Sequence, residues 1–532
     1  MISKKISLGC FGFVFFFNSA LQANALKQTL QSEYKKDHLY YDDRINTFYR
    51  NRYELSLGQN KNFNLTHIYL AEEKKNNFTW SFKWGGKVDP FNLYLGHFMV
   101  NFGTGLILGP KKFSSPDPFK SKLTPSTNKP FRVNKSGQPI YSFQGIAVRL
   151  KKSISSFSFF LNSFGSIRER YSKEDSLTLS SSLSSLNNHA DKEKNYNYLV
   201  KINDYGLMLE GRYKDFFKAQ TYGLFTFLTN GSGQKIIWDF QTDPFLTRGI
   251  KNFLGYGFLG EYRDQNLGLF CDYSQIIKKI ISTEQKTKID SSAGFIFGLN
   301  FKHSRIGLSL TLKKTDRNFY PLYGADTNCP EKGFESKISF RLLKNLTIGG
   351  GALNQEKLAP SSNEKDLKSL TKETLFIDYK KNYFKKLNLK IENLKINEGG
   401  DATHRLKLKT TMKLNLNKMI ENRFFSLLQT EKEKNLSFSL GGGLSFLYFS
   451  FLKFSFDYAK IKISKQNRLY LNLAPSQNSI SSGFFIKNSS HLLVGQLLFK
   501  DQPLSFRGRY LYHFSSHQTY KSRLEFSAKI TF

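Results

Sequence analysis

Apolar and polar residues alternate with a period of two along most of this chain. In residues 78–84, for example, aromatic side chains at even positions alternate with polar side chains at odd positions. The same pattern recurs in residues 205–213, 293–301, 406–416 and 506–514. Because a period of two places alternate side chains on opposite faces of a β-strand, the chain is predicted to be all-β. Each strand then has one apolar face and one polar face.

The segments between these strands are of two kinds. Short polar segments, such as 58–62 and 72–77, favour antiparallel hairpins. Four connections are longer, and the last of them has room for a helical turn or two: 103–142, 172–194, 354–373 and 417–434. No fixed-period repeat divides the chain, so one domain is the simplest interpretation.

The N-terminus has the features of a cleaved secretory signal peptide. Lys4 and Lys5 precede an apolar run of about ten residues, which is the usual length for such a signal. Residues 23–25 read Ala-Asn-Ala and offer an A-x-A cleavage site, so residues 1–25 are predicted to be removed. The apolar run is too short for a membrane-spanning helix, which needs about 20 residues.

The last ten residues alternate strictly, and the sequence stops on an aromatic residue. The apolar members of this strand are Leu524, Phe526, Ala528, Ile530 and Phe532. A terminal amphipathic strand ending in Phe resembles the closing strand of bacterial outer-membrane β-barrel proteins, which the assembly machinery of those proteins reads as a signal. The resemblance implies a single transmembrane antiparallel β-barrel in the cell outer membrane, with short periplasmic turns and long extracellular loops.

Composition agrees with a large barrel. The chain has 532 residues, of which 52 are Phe and 27 are Tyr, and these residues suit strands and interfacial aromatic girdles. The alternating segments suggest roughly twenty strands, and bacterial barrels have even strand numbers. We therefore predict about 18 to 22 strands. Residues 26–50 are expected to be a short periplasmic segment and residues 51–532 the barrel. The alternative, a soluble β-sandwich or β-solenoid, would have to bury all these apolar faces against one another.

The formal net charge is +37, and the polar strand faces contain much of it. If the apolar faces contact lipid, a group of cations lines the lumen: Arg405, Lys407, Lys409, Lys413, Arg507 and Arg509. The connection 103–142 adds seven cations to one acid, Asp117: Lys111, Lys112, Lys120, Lys122, Lys129, Arg132 and Lys135. Folded inward, this connection forms a cationic constriction; on the surface, it meets lipopolysaccharide phosphates. Both interpretations stay open.

These features favour a porin-like channel for small or polymeric anionic solutes. The alternative is a surface structural or adhesive barrel whose basic loops bind acidic glycans or lipopolysaccharide. The expected partners are outer-membrane lipid, lipopolysaccharide and the barrel assembly machinery, with no nucleic acid. We expect no enzyme activity, cofactor or metal, because no G-x-S-x-G, H-E-x-x-H or Walker motif occurs. Whether Cys271 and Cys329 form a disulfide stays open.

A looser resemblance covers residues 45–150. Residues 101–109, Asn-Phe-Gly-Thr-Gly-Leu-Ile-Leu-Gly, lie between the strand at 50–55 and the strand at 143–147. This order resembles the barrel part of bacterial envelope proteins that carry competence-type helix-hairpin-helix modules. Residues 26–50 are too short for such modules, so the DNA binding that they imply does not carry over. The glycines of this motif permit bends and close approach of the backbone.

Overall fold

The chain folds into strands alone over the residues that a computed structural model describes. These residues are 26–531 without 40–43, 58–62, 73–74, 86–89, 109–129, 134–142, 173–177, 180–197, 215, 231, 234, 240–248, 282–286, 318, 320–330, 359–367, 381–383, 399–400, 416–418, 432–434, 449–450, 464–468, 472–483, 487–489, 502 and 515–518. In this part of the chain no helix is long and apolar enough to cross a membrane.

The strands have the following bounds: β1 (Leu26–Leu39), β2 (Arg44–Leu57), β3 (Phe63–Glu72), β4 (Lys75–Trp84), β5 (Phe91–Val100), β6 (Phe131–Val133), β7 (Phe143–Ile154), β8 (Phe157–Ser172), β9 (Thr178–Leu179), β10 (Tyr198–Tyr213), β11 (Phe217–Asn230), β12 (Lys235–Asp239), β13 (Gly249–Arg263), β14 (Leu267–Ile281), β15 (Thr287–Lys302), β16 (Ile306–Thr315), β17 (Glu331–Leu343), β18 (Leu346–Lys357), β19 (Lys368–Tyr379), β20 (Phe384–Glu398), β21 (Asp401–Asn415), β22 (Ile420–Glu431), β23 (Asn435–Tyr448), β24 (Leu452–Lys462), β25 (Leu469–Leu471), β26 (Phe484–Ile486), β27 (Ser490–Asp501), β28 (Leu504–Phe514) and β29 (Thr519–Thr531).

The main sheet closes on itself. It contains 27 strands, of which 24 form the wall, while the short strands β6, β9 and β12 lie beside it. Each wall strand pairs antiparallel with the next one along the chain, as β1 does with β2. The last strand, β29, pairs with the first, β1, from Thr29↔Thr531 to Leu39↔Lys521. The wall therefore has no free edge, which is what a membrane-spanning sheet requires.

The two faces of the wall differ in polarity. In β10, Leu207 is 49% exposed and Leu209 is 48% exposed, while Asp204 and Glu210 on the opposite face are buried. Phe456 of β24 is likewise exposed, at 53%. A closed antiparallel barrel with an apolar exterior is the architecture of an outer-membrane β-barrel protein. The predicted fold class and the location in the cell outer membrane are therefore confirmed.

The predicted strand number is too low, because two wall strands were overlooked. Residues 26–50 are not a separate periplasmic segment, since they form β1 and half of β2. Residues 417–434 are not helical either, since they contain β22. The first strand is polar at most positions, and β22 has adjacent apolar residues, Phe424-Phe425 and Leu427-Leu428. Alternation fails in the middle of β22 because two of its inward residues are apolar too: Phe425 and Leu427 pack against an interior cluster.

The connections at the two ends of the barrel differ in length. At the end where Leu26 and Thr531 lie, the connections include 155–156, 344–345 and 502–503. The opposite end has the long connections 101–142, 173–197 and 463–489. The assignment of these ends to periplasm and exterior stays a prediction. So do the signal peptide and the assembly signal, because residues 1–25 and Phe532 lie outside the described residues.

An arginine on the outer face should destabilise the barrel according to its depth in the membrane. We expect Leu207→Arg, at the middle of β10, to lower the free energy of unfolding in lipid by about 2–4 kcal/mol. Leu343→Arg, at the end of β17 beside a turn, should cost about 1 kcal/mol or less. Chemical unfolding of both variants in vesicles measures the difference. Equal costs at the two positions would contradict a lipid-facing outer surface.

Candidate functional site on the inner wall

The chain turns into the barrel interior after β5. The backbone N–H of Thr104 donates to Asp272 Oδ2 at 2.6 Å, and the Thr104 hydroxyl donates to the same oxygen at 2.7 Å. Tyr222 Oη of β11 donates to Asp272 Oδ1 at 2.7 Å. Strands β11 and β14 are not neighbours of β5 in the wall. A segment that leaves β5 and contacts both must therefore cross the lumen.

Glycines make room for this segment on both sides of the contact. Gly103 has φ +59°, and a Cβ there would lie 2.5 Å from Tyr222 Oη and 2.7 Å from Asp272 Oδ2. On the wall, a Cβ at Gly255 of β13 would lie 2.8 Å from Ile107 Cγ2. The glycine motif of residues 101–109 is therefore needed for close approach inside the barrel, a role that the sequence suggested in general terms.

An apolar core holds the segment in place. Asn101 N donates to the carbonyl of Pro130 at 2.8 Å, so the chain returns beside itself in β6. The ring of Phe131 in β6 packs edge-on against Phe102 and Phe164, with centroids 6.0 and 6.3 Å apart. The core contains Tyr94, Phe98, Val100, Phe102, Leu106, Ile107, Leu108, Phe131, Phe143, Ala147, Phe164, Met208, Tyr222, Leu224, Phe253, Leu259, Phe270, Ile276, Ile296 and Phe319. One side of the lumen, from β5 to β15, is thus filled.

Three cations near this core, Arg168, Arg212 and Lys218, are paired with acids. Arg168 of β8 donates to Asp204 of β10 at 2.7 Å. Glu210 accepts from Arg212 and Gln220, and its carboxylate lies 3.6 Å from Lys218 Nζ. Buried charges are tolerated when they are paired in this way. On this side of the wall, ion pairs as well as apolar packing therefore stabilise the fold.

The opposite side of the wall presents cations to an open lumen. The register of β21 against β20 and β22 places the predicted cations on the face opposite Leu406, which is 48% exposed to the outside. Glu392 accepts from Lys372 at 2.7 Å and from Lys390 at 2.6 Å, so two ammonium groups share one carboxylate. A cationic strip follows this inner face: Lys372, Lys390, Arg405, Lys407, Lys409 and Lys413.

The open side also contains a cleft of about 370 Å³. Its lining includes Lys337, Lys372 and Lys390, together with Phe376 and Asp378. The cleft shows that the lumen beside the cationic strip is not filled by the described part of the chain.

Other predicted residues are placed as follows. Arg507 and Arg509 lie on the inner face of β28, where their register partners on β27 are Leu498 and Gln496. Arg132 lies in β6, and the connection's remaining cations are outside the described residues: Lys111, Lys112, Lys120, Lys122, Lys129 and Lys135. Residues 103–108 and 130–133 of the connection lie inside the barrel, while the cationic constriction stays a prediction.

One partner of the inner segment, as we call residues 101–108 and 130–133, was not anticipated from the sequence. Asp272 lies between Cys271 and Tyr273, in a stretch whose other residues are mostly apolar or carry hydroxyl groups, so it was overlooked. An acid on a membrane-spanning strand was the available signal, because such a residue is expected to face inward. Cys271 lies on the outer face, and Cys329 is outside the described residues, so their pairing stays open.

Known proteins resemble this chain in structure and not in sequence. No protein-family model and no curated protein sequence matches the chain. The siderophore receptor PirA from Acinetobacter baumannii is 10% identical, with a TM-score of 0.47, over 96% of this chain and 81% of that one. PirA from Pseudomonas aeruginosa is 8% identical, with a TM-score of 0.49 and the same coverage. The P pilus usher (PapC) translocation pore is 9% identical, with a TM-score of 0.42, over 95% of this chain and 99% of that one. Such values carry no information about function.

Crowding at Gly103 should loosen the inner segment. We expect Gly103→Ala to cost at least about 1–2 kcal/mol, because a methyl group combines a positive φ with contact on Tyr222 and Asp272. Hydrogen exchange of amides 101–108, followed by mass spectrometry, should become about tenfold faster. Gly211→Ala is the control, since its Cβ would meet nothing closer than 4.0 Å. Unchanged exchange in Gly103→Ala would contradict docking of this segment.

Proposed function

We propose that this protein is an outer-membrane channel that passes anionic solutes along the open, cationic side of its lumen. The observation that carries the proposal is the cationic strip, in which six cations follow one inner face and Lys372 and Lys390 share Glu392. Glu421 lies 3.8 Å from Lys413 Nζ, so the acids Glu392 and Glu421 both lie within reach of this strip. A surplus of fixed positive charge in an enclosed, low-dielectric space attracts anions and repels cations.

The inner segment supports a narrow path rather than a wide pore. A wall of 24 strands is larger than that of the 16–18-stranded porins, which leave an aqueous channel. Residues 101–108 and 130–133 occupy the side from β5 to β15, and solutes would pass on the side of β17 to β24. The solutes then pass close to the strip, where fixed charges act over distances shorter than the Debye length of about 8–10 Å.

Ion selectivity tests this function. In planar bilayers, the protein should prefer chloride to potassium, and the double variant K407E/K409E should lower the permeability ratio several-fold or invert it. The control is K332E, because Lys332 is exposed and pairs with Glu356 on the outer face. An equal ratio for the two variants, or cation preference in the unmodified protein, would overturn the proposal.

The same measurement separates the second candidate function. A surface structural or adhesive barrel would give no current, yet would bind acidic glycans or lipopolysaccharide. The other expectations stay predictions: contacts with lipid and lipopolysaccharide, insertion by the barrel assembly machinery, and the absence of enzyme activity and nucleic-acid binding. The loose resemblance of residues 45–150 to competence-type envelope proteins is likewise untested.

A further inference from the structure

Four arginines gather on the inner wall between β22 and β29, apart from the inner segment, and one of them, Arg423, is the register partner of Lys413 in the cationic strip. Arg423 donates to Asp457 of β24 at 3.1 Å, and Arg507 donates to Gln496 of β27 at 3.1 Å. The Arg cluster, as we call it, consists of four arginines and two acids: Arg423, Arg507, Arg509, Arg523, Asp457 and Glu525.

Glu525 is shared within this cluster. Arg509 Nη1 lies 3.6 Å from one carboxylate oxygen, and Arg523 Nη1 lies 3.8 Å from the other. Both separations are longer than the 2.7–2.9 Å of a charge-assisted hydrogen bond. In the register, Arg509 of β28 pairs with Glu525 of β29 on one side and with Gln496 of β27 on the other. The next inward residue of β27, Val494, pairs with Asp457 of β24. The six side chains are thus continuous across the wall.

Arg509 is the centre of the cluster and the least satisfied member. It is 3% exposed, and its Nε, Nη1 and Nη2 atoms have no hydrogen-bond partner. The Nε atoms of Arg423 and Arg507 also lack one. A buried guanidinium with unmade hydrogen bonds carries a large desolvation cost unless a ligand or water supplies acceptors. These unsatisfied arginine N–H groups would suit a ligand that has several oxygen acceptors.

The charge balance indicates which acceptor fits. Four guanidinium groups face two carboxylates, so positive groups outnumber acids within the cluster. A phosphate group carries about −1.5 to −2 charges near neutral pH and matches the planar fork of arginine. A single carboxylate carries a smaller negative charge than phosphate.

We propose that the Arg cluster binds the phosphate group of a solute in the lumen. Its residues face the barrel interior, on the side opposite exposed Tyr510 and Phe526, so lipid headgroups do not reach it. Arg507, which is half-buried, leads from the lumen to buried Arg509. The inference deepens the proposed function, since it names the substrate class, and it rests on that function because the solute must enter the lumen.

Titration calorimetry on the full, detergent-purified barrel tests the site without any current. Sodium phosphate, at a pH where it is mostly dianionic, should bind, while succinate should bind more weakly and chloride should not compete. Arg509→Met should weaken phosphate binding about tenfold or more. Lys337→Met is the control, because Lys337 lies on the inner wall and pairs with Glu335 outside the Arg cluster. Unchanged phosphate affinity in a folded Arg509→Met barrel overturns the site.

A second variant should change the affinity for phosphate in the opposite direction, and it tests the site even if Arg509→Met does not fold. Glu525→Gln removes an acid from the cluster and should tighten phosphate binding several-fold, whereas an unchanged or weaker affinity overturns the site. Succinate binding equal to that of phosphate overturns the substrate class. Absent phosphate binding with anion-selective current retained contradicts this inference alone. Binding retained without current contradicts the channel and leaves the site in place.

Discussion

The structure depends on pairing every backbone polar group of a sheet that lies in hydrocarbon. Water is absent from the bilayer core, so an unpaired N–H or C=O there costs several kcal/mol. The pairing of β1 with β29 meets this constraint, because it joins the first and last wall strands over eleven register pairs, from Thr29↔Thr531 to Leu39↔Lys521. Once the wall is closed, alternation within each strand separates an apolar exterior from an interior that can hold charge.

The interior is divided between two physical environments. From β5 to β15, residues 101–108 and β6 pack into an apolar core, and nearby ions such as Arg168 and Asp204 are paired. From β17 to β24, cations exceed acids beside an open cleft. The first environment gives rigidity and fills space. The second places lysines and arginines beside the lumen, and the proposed anion passage and phosphate binding both depend on these side chains.

The sequence predicts this fold where one face of a strand meets lipid and the other meets polar groups. In β4, Trp80 and Trp84 are exposed while Thr79 and Ser81 are buried, as their alternation indicates. Strand β22 was overlooked because two of its inward residues, Phe425 and Leu427, are apolar and pack toward the interior cluster, which breaks the alternation. Long-range contacts, such as that of Thr104 with Asp272, leave no periodic signal in the sequence. The charge balance of the Arg cluster likewise appears only when β22 to β29 are brought side by side.

Closure by the N-terminal strand is tested most directly by cross-linking across the β1–β29 seam. Leu30 and Ile530 are register partners on the outer face, so cysteines at both positions should form a disulfide within one chain in the membrane. Cysteines at Leu30 and Leu524 are the control, since Leu524 is the partner of Lys36 and lies six residues away along the strand. A seam formed by β1 predicts cross-linking in the first pair alone. No cross-link in either pair, or equal cross-linking in both, would contradict the closed 24-stranded wall.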